Sequence, residues 1–119
     1  MADCAPKKMD FDISDPIFER HASFCSIFSA PIRLRILWLL RDGEQSVGYL
    51  SDSLQTSMAN VSQHLRTMRN QGALLTRKEG KQVYYRISNE KFVRGAGLIR
   101  EGLIENLEEE GRSAADWVK

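Results

Sequence analysis

The sequence predicts an α+β fold of the winged helix-turn-helix class, with five helices and a β-hairpin wing assembled as a homodimer. Three observations carry this: an amphipathic helical pattern from Ser57 to Gly72, a basic hairpin pattern at Leu74 to Ile87, and more apolar surface on the first and last helices than one small core absorbs. A helix followed by a basic hairpin is the pairing that puts a helix in the major groove and a wing on adjacent phosphates. The chain is therefore expected to bind double-stranded DNA.

Each element follows from local chemistry. Residues 1–14 have no period and are expected to form a mobile tail, with a DNA-binding and dimerisation domain at 15–110 and a C-terminal tail at 111–119. Asp15 as N-cap and Pro16 as first helical residue start a helix with two apolar stripes, one of Phe18, Ala22, Cys25 and Ser29 and one of Ile17, Phe24 and Phe28. Pro31 ends it and opens a second helix, Ile32 to Arg41, in which Leu34, Leu37, Trp38 and Leu40 are expected around the core and Asp42-Gly43 is the stop. Ser46 caps a short third helix carrying Val47, Leu50 and Leu54; Gln55-Thr56 makes the turn. Ser57 caps the fourth helix, where Val61, Leu65 and Met68 face inward and Asn60, Gln63, His64 and Thr67 face out.

Strands Leu74 to Lys78 and Gln82 to Ile87 flank the Gly-containing turn Glu79-Gly80-Lys81. Asn89 caps a last helix of about 20 residues, whose seam is Phe92, Ala96, Ile99, Leu103 and Leu107. With the core already supplied, Phe18, Phe24, Phe28, Phe92, Ile99, Leu103 and Leu107 are expected at a dimer interface.

Composition narrows the function. At 119 residues the chain is one domain, and its 17 Lys and Arg nearly balance 16 Asp and Glu. The distribution is uneven: residues 57–88 carry six basic side chains against Glu79 alone, while residues 101–119 carry six acids against two bases. No apolar run approaches the ~18 residues of a membrane span and no signal-peptide layout is present, so a cytoplasmic protein without membrane contact is expected. Two cysteines without Cys-x-x-Cys spacing argue for reduced thiols. Two histidines, no Gly-rich phosphate loop and no nucleophile motif argue against catalysis, and DNA binding needs no cofactor.

The DNA-facing residues divide by chemistry. Asn60, Gln63 and His64 offer short amide and imidazole groups to base edges, with Thr67 beside them, and Ser57 caps the helix near a phosphate. Arg66, Arg69, Lys78, Lys81 and Gln82 would meet the phosphate backbone and set position without reading sequence.

From Ala30 to Ser88 the chain resembles the ArsR/SmtB family of bacterial transcriptional repressors, through Pro31-Ile-Arg-Leu-Arg-Ile-Leu, Val61-Ser-Gln-His-Leu and Gly80-Lys-Gln-Val-Tyr-Tyr-Arg-Ile. The resemblance implies a homodimer built from the first and last helices that occludes a palindromic operator until an inducer releases it. Three sensor sites of relatives are missing: Ser46 and Gly48 stand where a Cys-x-Cys pair would lie, residues 89–119 hold neither His nor Cys, and the second helix has no Cys. Cys4, His21 and Cys25 remain, with His21 and Cys25 one helical turn apart. Two readings stay open: a thiol site for a metal, metalloid or oxidant, or Cys25 as a small core residue and Cys4 as an incidental tail thiol. The rival functions are a winged-helix regulator with a non-metal inducer or no small-molecule inducer, and a protein-interaction module, which would not need a basic wing beside Asn60, Gln63 and His64.

Overall fold

The structure is a computed structural model, and it describes residues 12–111; Cys4 and most of both expected tails lie outside that range. Five α-helices and a three-stranded antiparallel sheet follow one another as α1 (Ile17–Cys25), a 3-10 turn (Ser26–Ser29), α2 (Pro31–Leu39), β1 (Gln45–Ser46), α3 (Val47–Leu54), α4 (Met58–Asn70), β2 (Leu74–Glu79), β3 (Gln82–Ile87) and α5 (Glu90–Glu109).

The core forms where the apolar stripes of the short helices converge. Ile36, Leu40, Leu50, Val61, Leu65, Met68, Ala73 and Leu74 are fully enclosed, with Ile27 and Tyr85 closing the ends. The inward stripe of α4 is the one the spacing predicts. In α2 the prediction fails in part: Leu37 and Leu40 are buried, but Leu34 and Trp38 are 43% and 53% exposed, and Ile36 takes the enclosed position instead. Nine residues with apolar groups nearly all round do not define a face by period alone.

The helix starts are chemical. Ser46, Ser57 and Asn89 each accept a hydrogen bond from a first-turn N–H with their side chains. Asp15 Oδ1 accepts from Ile17 N at 2.9 Å, so the expected cap works although the regular helix begins one residue after Pro16. Between α3 and α4, Gln55 takes a left-handed conformation at φ 53°, which turns the chain within the three residues that separate the helices.

The wing differs from expectation in two respects. Glu79 pairs with Gln82, so the loop is the two residues Gly80-Lys81 and not three. Positive φ at Gly80 alone is the type II′ pattern that matches strand twist. A third strand, β1, pairs Gln45 with Tyr85 and Ser46 with Tyr84, which ties the base of the wing to the start of α3. Two residues are too few to show a sequence period. Ser88 closes the other side, its Oγ donating to the carbonyls of Gly72 and Ala73 at 2.6 and 3.0 Å.

No single helix among the described residues is long and apolar enough to cross a membrane. Replacing Leu65 with Ala removes the centre of the α4 stripe and should cost about 2–5 kcal/mol; urea unfolding of the dilute protein checks it, with a lowered midpoint at an unchanged slope.

Candidate nucleic-acid interface

One long face of α4 stays outside the core because its buried stripe is narrow. Ser57 Oγ accepts from Asn60 N at 3.1 Å, so the helix begins at an exposed turn whose N–H groups carry the positive end of its dipole. Asn60 Nδ2 donates to Thr56 Oγ1 at 3.1 Å, which steadies the amide while its oxygen stays uncommitted. Gln63 is exposed and its side chain has no partner among the described residues. Asn60 and Gln63 are therefore available to base edges, as expected.

His64 and Thr67 do not lie open on the outer face, where their spacing puts them. Thr67 is half-buried and its hydroxyl donates to the Gln63 carbonyl at 3.1 Å, a bond within the helix. His64 is half-buried too, and its Nδ1 accepts from Arg33 Nε of α2 at 3.0 Å. Arg33 also reaches the Ile27 carbonyl through Nη1 at 3.4 Å. Because a guanidinium only donates, Nδ1 is the bare nitrogen and the ring proton is on Nε2. Burial, and then the nearby Arg33 charge, push the imidazole below its usual 6.5. His64 is thus a neutral side chain pinned to α2. The signal was present: position 64 lies three after Val61 and four before Met68, on the edge of the inward stripe. Arg33, which the sequence pattern does not single out, is what holds it.

The basic residues divide into committed and available ones. Arg77 on β2 is committed, donating to Glu44 at 2.6 and 3.2 Å and to Glu79 at 3.2 Å while lying 4.6 Å over the Tyr84 ring. These bonds hold the Glu44 carboxyl below its usual range and raise the Arg77 guanidinium further. Arg66, Arg69, Lys78 and Lys81 are exposed and have no ion-pair partner among the described residues. Gln82 is exposed at the root of the wing loop. An uncommitted amide pair on a helix face, flanked by unpaired cations at its far end and on a hairpin, can meet base edges and phosphates together.

The opposite side of the molecule is apolar. A groove of about 620 Å³ runs between α1, α2 and α5, lined by Phe24, Phe28, Phe92, Ile99 and Leu103 among others. Ile99 is 68% exposed, and Phe18, Leu98 and Leu103 are also exposed. Phe24 and Phe28 are half-buried against the core, and the Phe24 ring lies 4.5 Å from Phe92, so these aromatics join α1 to α5 within the protomer. Leu107, expected to be open to a partner, is 3% exposed. His21 and Cys25 line this groove and are both exposed, which overturns the reading of Cys25 as a core residue. The stripe of Phe18, Ala22, Cys25 and Ser29 faces outward, and the inward one runs through Phe24, Ile27 and Phe28. Among the described residues no three His, Cys, Asp or Glu side chains come together as a metal site.

Residues 30–74 match the sequence pattern of a family described as "Bacterial regulatory protein, arsR family". The chain is 33% identical over 96 residues to the "Biofilm growth-associated repressor" of Agrobacterium fabrum, a match spanning 75% of this chain and 82% of that one. This chain belongs to the ArsR family. It is 47% identical over 57 residues to the "Transcriptional activator HlyU" of Vibrio cholerae, which covers 48% of this chain and 53% of HlyU. Its fold superposes on the homodimeric winged helix-turn-helix DNA-binding domain of Mb0332 from Mycobacterium bovis, described as a possible ArsR-family transcriptional regulator, with a TM-score of 0.72. That match has 27% identity and covers 84% of this chain and 93% of the other. As an ArsR-family member the chain is a DNA-binding transcriptional regulator, which is not an enzymatic role.

In this regulator the Arg33–His64 hydrogen bond has a pH signature. With its folded pKa below 6.5, His64 takes up a proton more readily in the unfolded chain. The bond's contribution to stability is therefore present above pH 6.5 and disappears as pH falls toward the folded value. A two-dimensional NMR titration should place the His64 ring midpoint below the usual 6.5, and Arg33→Ala should move it part of the way back up.

Proposed function

We propose that this chain is a homodimeric repressor which binds a palindromic operator and leaves it when an inducer binds. The observation that carries the reading is the exposed amide pair Asn60 and Gln63 on α4, with the Asn60 oxygen and the whole Gln63 amide uncommitted, beside four cations without ion-pair partners. In a dimer formed over the apolar groove, two copies of α4 would meet half-sites about one helical turn, 34–36 Å, apart. Ser57 would approach a phosphate at the helix start, Asn60 and Gln63 would face base edges, and Arg66, Arg69, Lys78, Lys81 and Gln82 would hold the backbone. Repression follows the Agrobacterium relative's name, whereas HlyU is named an activator; a reporter fused to the chain's own promoter separates the two signs. A repressor of chromosomal genes works in the cytoplasm.

Exposure of Cys25 favours a second reading of the release step, in which thiol chemistry at Cys25 and Cys4 disturbs the α1 face. Replacing both with Ser removes that reading if release by oxidants and thiophilic metals is unchanged.

Fluorescence anisotropy on the upstream promoter DNA tests the DNA assignment. Gln63→Ala should cost about 1–3 kcal/mol on the operator and relax discrimination at one base pair of each half-site. Lys81→Ala should weaken all sequences alike and make the salt slope shallower by about one unit for each phosphate it no longer neutralises. Equal losses of specificity from both variants would remove the assignment.

A further inference from the structure

A second groove, about 460 Å³, lies between α2, the end of α3 and α5, apart from the α4 face. Its walls include Leu34, Trp38, Leu54 and Val93, and two cations, Arg35 and Arg100, line it as well. Neither arginine has an ion-pair or hydrogen-bond partner among the described residues. Trp38, half exposed here, is held from one side by the Arg41 guanidinium 4.3 Å from its ring centre.

The glycine at the floor of this groove is a separate observation. Gly97 sits in the middle of the 20-residue α5, where glycine costs about 1 kcal/mol relative to alanine. A Cβ built at Gly97 would meet nothing within 4 Å, so packing inside the protomer does not require its absence. The space it leaves is open, and it opens into the groove.

We infer that this groove is a binding site for a small amphipathic monocarboxylate, its apolar body between Trp38, Leu34 and Val93 over Gly97 and its carboxylate on Arg35 and Arg100. The size is that of small-molecule sites, which are mostly apolar with a few polar groups that fix orientation. Two unpaired guanidinia beside an apolar cleft select an anion, and the planar fork of arginine matches a carboxylate. A neutral apolar ligand would leave both cations unused, and a dianion would bring charge into a cleft with apolar walls. Leu54 ends α3 and Gln55 begins the turn into α4, so a ligand here touches the last residue of α3, three residues before the turn ends at the start of α4. On the repressor reading, which this inference uses only for its consequence, such an acid is the inducer class.

The test is a titration of the full chain carrying Trp117→Phe, free of DNA, with sodium decanoate below its micelle concentration and with decanol, reading Trp38 fluorescence. The expected result is a saturable change with one decanoate per chain and at least tenfold weaker binding of decanol. Arg35→Gln should weaken decanoate about tenfold and leave decanol unchanged. Gly97→Leu, which fills the groove with a better helix former, should remove both responses while circular dichroism stays at the parent's. No saturable change, equal affinity for decanoate and decanol, or an Arg35→Gln variant that binds decanoate as the parent does would each overturn the site. Operator binding is measured separately without decanoate, so failure of the repressor reading is not confused with failure of this one.

Discussion

The enclosure of Val61, Leu65 and Met68 is the constraint on which the rest of the structure depends. These three side chains, fully buried at spacings of four and three, fix the rotation of α4 about its axis. Rotation decides which residues are left outside. Were α4 turned by one residue, about 100°, Asn60 would take the place of Val61 in the core, at a desolvation cost of about 1–3 kcal/mol. Hydrophobic burial thus selects the face of α4 that is left in solvent without touching it. The same stripe brings His64 against α2, where Arg33 is able to reach it.

Charge placement follows from packing rather than from composition. Arg77 and Lys78 are neighbours on β2 and look alike in a count of basic residues. Alternation along the strand puts Arg77 over the Tyr84 ring and within reach of Glu44, so its charge is neutralised inside the protein. Lys78 carries no such bond and remains available. Arg33 and Arg66 form a comparable pair: one is turned inward to orient His64, the other is left in water. A basic segment's usable charge is what remains after its internal ion pairs are formed, and pairs at long sequence separation such as Arg77–Glu44 do not show in local patterning.

What could be read from the chain was whatever is set by nearest neighbours along a helix or strand. The caps at Ser46, Ser57 and Asn89, the α4 stripe, the extent of the strand Gln82 to Ile87 and the extent of α5 are of that kind. What escaped depends on contacts between distant segments. The β1 pairing is a two-residue ladder to Tyr84 and Tyr85, Leu34 and Trp38 are exposed because α3 and α5 leave a groove beside them, and Leu107 is covered although its seam neighbours Ile99 and Leu103 are not. In the site, Asn60 and Gln63 followed from spacing alone. The roles of His64 and Arg33 required knowing which helix α4 packs on.

The helix α5 is costly in a way that the core does not explain. It holds three interior glycines, Gly95, Gly97 and Gly102, and a Cβ at any of them would meet nothing within 4 Å. Each lowers helix stability by about 1 kcal/mol relative to alanine, a total comparable to a fair share of a small domain's net stability. A cost of that size, unmatched by close packing inside the protomer, points to surfaces that approach α5 from outside. Gly95 lines the groove with Ile99 and Leu103, whose apolar walls suit a second copy of the chain, and Gly97 lines the groove that also holds Arg35, whose unpaired charge does not. The two grooves share Leu34, Ala96 and Arg100, so they are adjoining faces of one helix. Any occupant of the second groove therefore bears on the helix that also lines the first, and on Leu54 at the end of α3. On the proposed readings, that common wall gives a ligand of the second groove, a second copy of the chain and α4 a physical means of affecting one another.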